Sequence, residues 1–310
     1  MIYNYTSHSK LLTINGDMGQ AYKQLDWYST DSEAAFNANR EAGNLSETQL
    51  ALTPTYQFNS QGYRSVNVSD ITGKFFIAMG CSYTEGVGIE LEQTWSHILS
   101  KKLGMQMLNL GMGGAGLDAI VLNTKIYVAK LLNQVKGFPL PKPDFVIVQH
   151  PHLTRHFNAT IQEDKIHLQT ADPNSRGGMN KFLVTRDAIK DLDKPLRADV
   201  TDFVLAGMYT DVITMLWNSA GVPVYHWTFN GDGENYSSMY EVLEFPADAT
   251  TFDKNKYEPD RGRDNAHDGP MTNSMVAEEL YAVLSPLIEQ NILNMPKYIS
   301  RRNKISGAFQ

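Results

Sequence analysis

The 310-residue chain holds a single cysteine, Cys81. One thiol excludes an intrachain disulfide framework and any cysteine-rich zinc module. Long apolar runs are missing too. No stretch approaches the ~20 residues that span a bilayer. The opening MIYNYTSHSKLLTING lacks the apolar segment of about 7–15 residues that a secretory signal needs. No membrane span is therefore expected, and the expected location is the cytoplasm or a virus particle. Positive charge is scarce: Lys and Arg number 27 against 34 Asp and Glu, a net charge of -7. No basic block longer than KK or RR precedes the tail ISRRNKISGAFQ, and this balance argues against a nucleic-acid partner. What is present, 42 % hydrophobic and 20 % charged residues, suits a globular protein with a sizeable core.

The first seventy residues are polar and weakly periodic. Thr30-Asp31-Ser32-Glu33 has the capping-box form and Gly43 is a stop signal, which predicts a short helix near 31–42. TYQFNSQGYRS alternates and reads as a strand or an extended arm. From residue 73 the pattern changes. FFIAMG, MLNLG (107–111), FVIVQ (145–149) and VPVYHW (222–227) are short apolar runs of the buried, parallel-sheet kind. Helical patterns lie between them. Over 116–136, Ile120, Val121, Thr124, Val128, Leu131 and Val135 share one face, with Gly137 as a stop. TDVITMLWNSAG (210–221) feeds the fourth strand. In 271–290, Val276, Leu280, Val283, Leu284 and Leu287 form one stripe, and Pro270 opens it. Such alternation implies an α/β fold, a parallel sheet with helices on both faces and a ligand site at the carboxyl ends of the strands. The expected organisation is an N-terminal extension over 1–72, a domain over 73–290 and a tail over 291–310. Two polar insertions interrupt the domain, a loop-rich one at 153–205 and a long excursion at 230–263.

Three pieces at strand ends or helix starts carry chemistry. GCSYTEG places Ser82 just past the first of these strands, NLGMGGAG (109–116) leaves the second, and RDNAHDGP sets Asp264 three residues before His267. A serine hydroxyl is a poor nucleophile until a base takes its proton, and imidazole titrates near neutrality. A carboxylate that accepts the other ring N–H holds the imidazole in the right tautomer. Glycine-rich backbone lets N–H groups approach an oxyanion. Alone, Ser82 reads as a turn or N-cap serine, and His267 as an exposed loop histidine.

Together the pieces resemble the SGNH (GDSL-type) hydrolase superfamily. Gly80-Cys81-Ser82-Tyr83-Thr84-Glu85-Gly86 resembles its first block, Asn109-Leu110-Gly111-Met112-Gly113-Gly114 its second, and Asp264-Asn265-Ala266-His267 its last. NSQGYRS (59–65) is similar to the lead-in of some members. The resemblance covers roughly 73–290. It implies a three-layer α/β/α fold with a flavodoxin-like, mostly parallel sheet. It also implies a serine esterase or acylhydrolase without metal or cofactor, acting on a small-molecule or glycan ester, often an O-acetyl sugar. Ser82 is then the nucleophile, His267 the base and Asp264 its orienting carboxylate. The backbone N–H groups of Ser82 and Gly114 form part of the oxyanion hole.

Two departures stand out. Cys81 replaces the aspartate before the nucleophile, and its side chain is expected to point away from the reacting centre. In VIVQHPHLTRH no Asn stands where the third block has one; His152 or the Thr154 hydroxyl is the candidate substitute. That gap, with the polar extension, keeps a second reading open: the same fold as a binding or structural module, for instance in a virus particle. Rival readings of single motifs are weaker. GMGGAG lacks dinucleotide-fingerprint spacing, and Asp118 lies too close to be the ribose acid. His150, His152 and His156 form a cluster without a nearby carboxylate to complete a metal set. Trp227 and Tyr236 are candidates for a sugar-binding wall.

Overall fold

A computed structural model describes residues 22–132, 141–151, 155–162, 165–171, 200–228, 243–244 and 260–289. Its centre is a sheet built from β3 (Phe75–Gly80), β4 (Gln106–Gly111), β5 (Phe145–Gln149), β8 (Val224–Thr228) and the two-residue β9 (Leu243–Glu244). The spatial order is β4-β3-β5-β8-β9 and every neighbouring pair is parallel. Numbered from β3, that is 2-1-3-4-5, the flavodoxin-like order.

Period-2 alternation explains why β3 and β5 read as unbroken apolar runs. Ile77 and Met79 face one side with Val146 and Val148, while Phe76 and Ala78 face the other with Phe145 and Ile147. All eleven residues of the two strands are buried. Helices α5 (Leu117–Leu131) and α6 (Val200–Ser219) cover the first face through Ile120, Tyr127, Ile213 and Trp217. Helices α4 (Trp95–Leu103) and α7 (Pro270–Glu289) cover the second through Trp95, Leu99, Val276, Leu280 and Leu284. The result is three layers.

The four expected sheet strands are all present, as are helices at 117–131 and 270–289. The Gly137 stop lies outside the described residues. Two expectations need correction. α6 begins at Val200, ten residues before the expected start. Within the stretch read as loop-rich, β6 (His156–Gln162) and β7 (Lys165–Ala171) form an antiparallel hairpin. HFNATIQ and the start of KIHLQTA do alternate apolar and polar residues, but each run is short.

Ahead of the sheet, β1 (Gln24–Leu25) pairs antiparallel with β2 (Tyr56–Gln57). Between them lie α1 (Glu33–Glu41) and the one-turn α2 (Glu47–Leu50). The cap of α1 is Ser32, which accepts from the Ala35 N–H, and not Thr30. Thr30 is left free for another partner.

Candidate active site

The carboxyl end of β3 runs into a single helical turn, α3 (Ser82–Glu85). Cys81 is its N-cap in extended conformation without a side-chain cap bond, and Ser82 is the first helical residue, so Ser82 is not serving as a cap. Three side chains fix this turn. Gln149, the polar end of β5, offers Oε1 to the Cys81 N–H at 3.3 Å and to the Thr84 hydroxyl at 3.1 Å. Asn109 of β4 donates through Nδ2 to the Thr84 carbonyl at 2.7 Å. Arg64 donates to the carbonyls of Gly86 and Thr55 and lies 4.4 Å over the Tyr56 ring. Cys81 Sγ points to Gln149 Oε1 at 3.4 Å, inside the core.

β4 must pass close to this turn. A Cβ at Gly111 would stand 2.4 Å from the Glu85 backbone nitrogen, so only glycine fits. Beyond it, Gly114 adopts φ +74, in the left-handed region that favours glycine. Among the described residues, neither the Ser82 nor the Gly114 backbone N–H donates to an acceptor.

From the far end of the chain comes the turn ahead of α7. Asn265 at φ +58 closes it, and Asp264 Oδ1 accepts from the N–H groups of Ala266 and His267, each at 3.1 Å. These local bonds lock the carboxylate, whose other oxygen, Oδ2, lies 2.6 Å from His267 Nδ1. His267 Nε2 in turn lies 2.7 Å from Ser82 Oγ. The structure thus brings Ser82, His267 and Asp264 into one hydrogen-bonded chain, across 185 residues of sequence between serine and histidine. All three are buried, with Ser82 5 % exposed. Burial alone pushes the Asp264 carboxyl up. The bond and charge of His267, the Thr30 hydroxyl and the His267 N–H outweigh it and hold the group down at about 2. It stays ionised beside the imidazole.

Other groups ring the three. The Tyr83 ring lies 4.9 Å from the His267 ring, centroid to centroid, and burial pushes its hydroxyl up. Asp268 is pushed up to about 6 by burial, opposed by Arg261, whose Nη1 stands 3.4 Å from Oδ1. Glu85 is fully enclosed and rises to about 7 for the same reason, with the Tyr28 hydroxyl, the Arg64 charge and the Gly113 N–H opposing.

Of the remaining candidates, His152 and Thr154 lie outside the described residues, as does Tyr236. Trp227 is no binding wall. It is fully buried in the core, edge-on to Trp95 at 5.3 Å. His150 turns inward and shares a 2.9 Å hydrogen bond with His226 Nδ1. Among the described residues no group of three or more His, Cys, Asp or Glu is placed to hold a metal ion. No described helix is long and apolar enough to cross a membrane. Sequence reasoning missed Thr30, Arg64 and Gln149. Gln149 left one signal, a polar residue ending an otherwise apolar strand.

No protein-family profile matches the sequence, and no curated protein does. Solved structures do resemble the fold. A protein assigned to the lipolytic G-D-S-L family from Desulfitobacterium hafniense DCB-2 is 14 % identical; the match covers 68 % of this chain and 100 % of that one, with a TM-score of 0.41. The psychrotrophic esterase EstA from Pseudoalteromonas sp. is 11 % identical, covering 70 % and 100 %, with a TM-score of 0.41. The acetyl xylan esterase Est2A from the rumen bacterium Butyrivibrio proteoclasticus is 12 % identical, covering 71 % and 65 %, with a TM-score of 0.42. At such identity and score these likenesses concern outline alone. The sheet order and the helices on both of its faces give the chain a three-layer α/β/α fold.

Proposed function

We propose that the chain is a serine hydrolase of carboxylic esters, working through Ser82, His267 and Asp264. One observation carries the reading: the continuous hydrogen-bonded chain from Ser82 Oγ through His267 to Asp264, with links of 2.7 and 2.6 Å. In the first step Ser82 Oγ attacks the ester carbonyl while His267 Nε2 takes the hydroxyl proton. The ionised Asp264 accepts from Nδ1–H, fixing the tautomer and stabilising the imidazolium. The carbonyl oxygen becomes an oxyanion, for which the free N–H groups of Ser82 and Gly114 are the proposed donors. His267 then returns its proton to the departing alkoxide, leaving an acyl-Ser82. Water, deprotonated by the same imidazole, attacks this ester, and His267 passes the proton to Ser82 Oγ as the acid departs. His152 or Thr154 is the proposed third donor, in place of the family's Asn. The substrate is proposed to be a small-molecule or glycan ester, with O-acetyl sugars among the candidates.

The reading of the fold as a binding or structural module has less support. A serine kept only for packing has no need of a base 2.7 Å away with its own oriented carboxylate.

A fluorophosphonate probe tests the reading. It should label the protein, and Ser82→Ala should lose both the label and the hydrolysis of p-nitrophenyl acetate, by about 10³-fold or more. Labelling that survives the substitution would overturn the assignment. A panel of acetylated sugars and longer acyl esters, run on the same pair of proteins, then separates the substrate classes.

A further inference from the structure

The triad carboxylate has one partner from a distant part of the chain. Thr30 sits in a tight turn closed by two backbone bonds between Tyr28 and Asp31, with Ser29 at φ +60. From there its hydroxyl donates to Asp264 Oδ2 at 2.6 Å and stands 3.5 Å from His267 Nδ1. Oδ2 is the same oxygen that faces the imidazole. A second donor on that atom fixes the direction of its lone pairs, and so the plane into which the His267 N–H must point.

The turn that carries Thr30 is itself anchored to the catalytic loop. Asp31, wholly buried, receives Arg263 Nε at 2.9 Å and Nη2 at 2.7 Å, and the Tyr56 hydroxyl at 2.5 Å. Arg263 is the residue before Asp264, and its guanidinium also lies 3.7 Å over the Trp27 ring. Gln49 Nε2 donates to the Gly262 carbonyl and to Asn265 Oδ1, both at 3.1 Å. The segment over residues 22–72 therefore holds the loop on both sides of the triad acid, with Thr30 touching the acid itself.

We propose that Thr30 is a positioning residue of the Asp264–His267 pair, so that the N-terminal segment is a working part of the hydrolase site. The inference rests on the Ser82 reading above. Thr30 is an exposed residue, so removing its hydroxyl takes no apolar packing from the core. What is lost is the fixed geometry of Oδ2, and the cost falls on proton transfer in the transition state, not on substrate binding.

The experiment measures p-nitrophenyl acetate turnover and fluorophosphonate labelling rate in the wild type, Thr30→Val, Thr30→Ala and Thr30→Ser. A wild type without Ser82-dependent labelling sinks the hydrolase reading itself. Given such labelling, Thr30→Val and Thr30→Ala should each lower kcat about ten-fold, with KM within about two-fold of wild type. Thr30→Ser, which keeps the hydroxyl, should stay within about two-fold in both constants. The proposal is overturned if the two hydroxyl-free variants turn over at the wild-type rate, or if Thr30→Ser falls as far as they do. The second result would assign the loss to the methyl group. Should Thr30→Val fail to fold, the Thr30→Ala and Thr30→Ser pair decides alone.

Discussion

Glu85 stands three residues after Ser82, in the turn that presents the proposed nucleophile, and is buried. Its Oε2 has no donor in hydrogen-bond geometry among the described residues, and lies 3.0 Å from where a Cβ on Gly113 would stand. A carboxyl so placed resists ionisation, hence its rise from 4.5 to about 7. The sign of the consequence follows. Between those two values the folded protein holds a proton that the unfolded chain has released, so stability falls as pH rises through the interval. From pH 5 to 8 the loss from this one group is about 2–3 kcal/mol. Glu85→Gln keeps the shape and abolishes the charge. Chemical denaturation should find the variant about 2–3 kcal/mol better placed against wild type at pH 8 than at pH 5. An unchanged difference between the two pH values would mean that the carboxylate is ionised at little cost. Because Glu85 packs beside Gly113, the same carboxyl borders the proposed oxyanion loop. A buried carboxyl that costs stability at neutral pH and borders a proposed site fits a place where function outweighs stability.

At the scale of elements, the segment over residues 22–72 and the loop over 260–268 act as one unit, joined through the Asp31–Arg263 pair. Both side chains are nearly inaccessible, 0 % and 6 % exposed. Removing one partner of such a pair strands the other charge in the interior, at a cost of about 3–5 kcal/mol. Asp31→Asn should therefore lower the urea midpoint strongly. It should also depress esterase activity under conditions where the variant remains folded, because Arg263 precedes Asp264. An activity loss without the stability loss would separate the two roles. None of this junction was legible in the sequence. Asp31 and Arg263 are 232 residues apart, and a contact at that separation leaves no local periodicity. What was legible has a local cause. β3 and β5 are apolar on both faces because both faces are covered, and α7 carries its stripe and its opening proline within twenty residues. The grouping of Ser82, His267 and Asp264 was legible for a third reason, since each sits in a short motif at an element boundary. α4 was missed although Thr94 caps it and Gly104 ends it at φ +63. Nine residues are too few turns for periodicity to stand out beside a neighbouring apolar strand. Thr30 was misplaced as a helix cap because Ser32, two residues on, has the same chemistry and took that position.

For the molecule as a whole, buried groups of opposite kind set how stability responds to acid. His150 and His226 lie in the interior, joined to each other and, through His226 Nε2, to the Thr214 hydroxyl at 2.9 Å. Burial pushes both imidazoles down, His226 to about 3 and His150 well below its ordinary value, where the neighbouring ring adds to the effect. Below about 6.5 the unfolded chain takes up protons that the folded core refuses, so this pair loses stability as pH falls. Glu85 and Asp268, held up at about 7 and about 6, work in the other direction and regain stability over the same descent. From pH 7 to 5 the His226 contribution falls by about 2 kcal/mol, while that of Glu85 rises by about the same amount. These two slopes oppose each other and largely offset over this range. A single substitution removes one side of the balance. His226→Asn carries its own packing cost at both pH values, but on going from pH 7 to 5 it should gain about 2 kcal/mol relative to wild type in urea denaturation. Wild type and variant changing in parallel over that interval would mean that water or a rearranged core already accepts the His226 imidazolium.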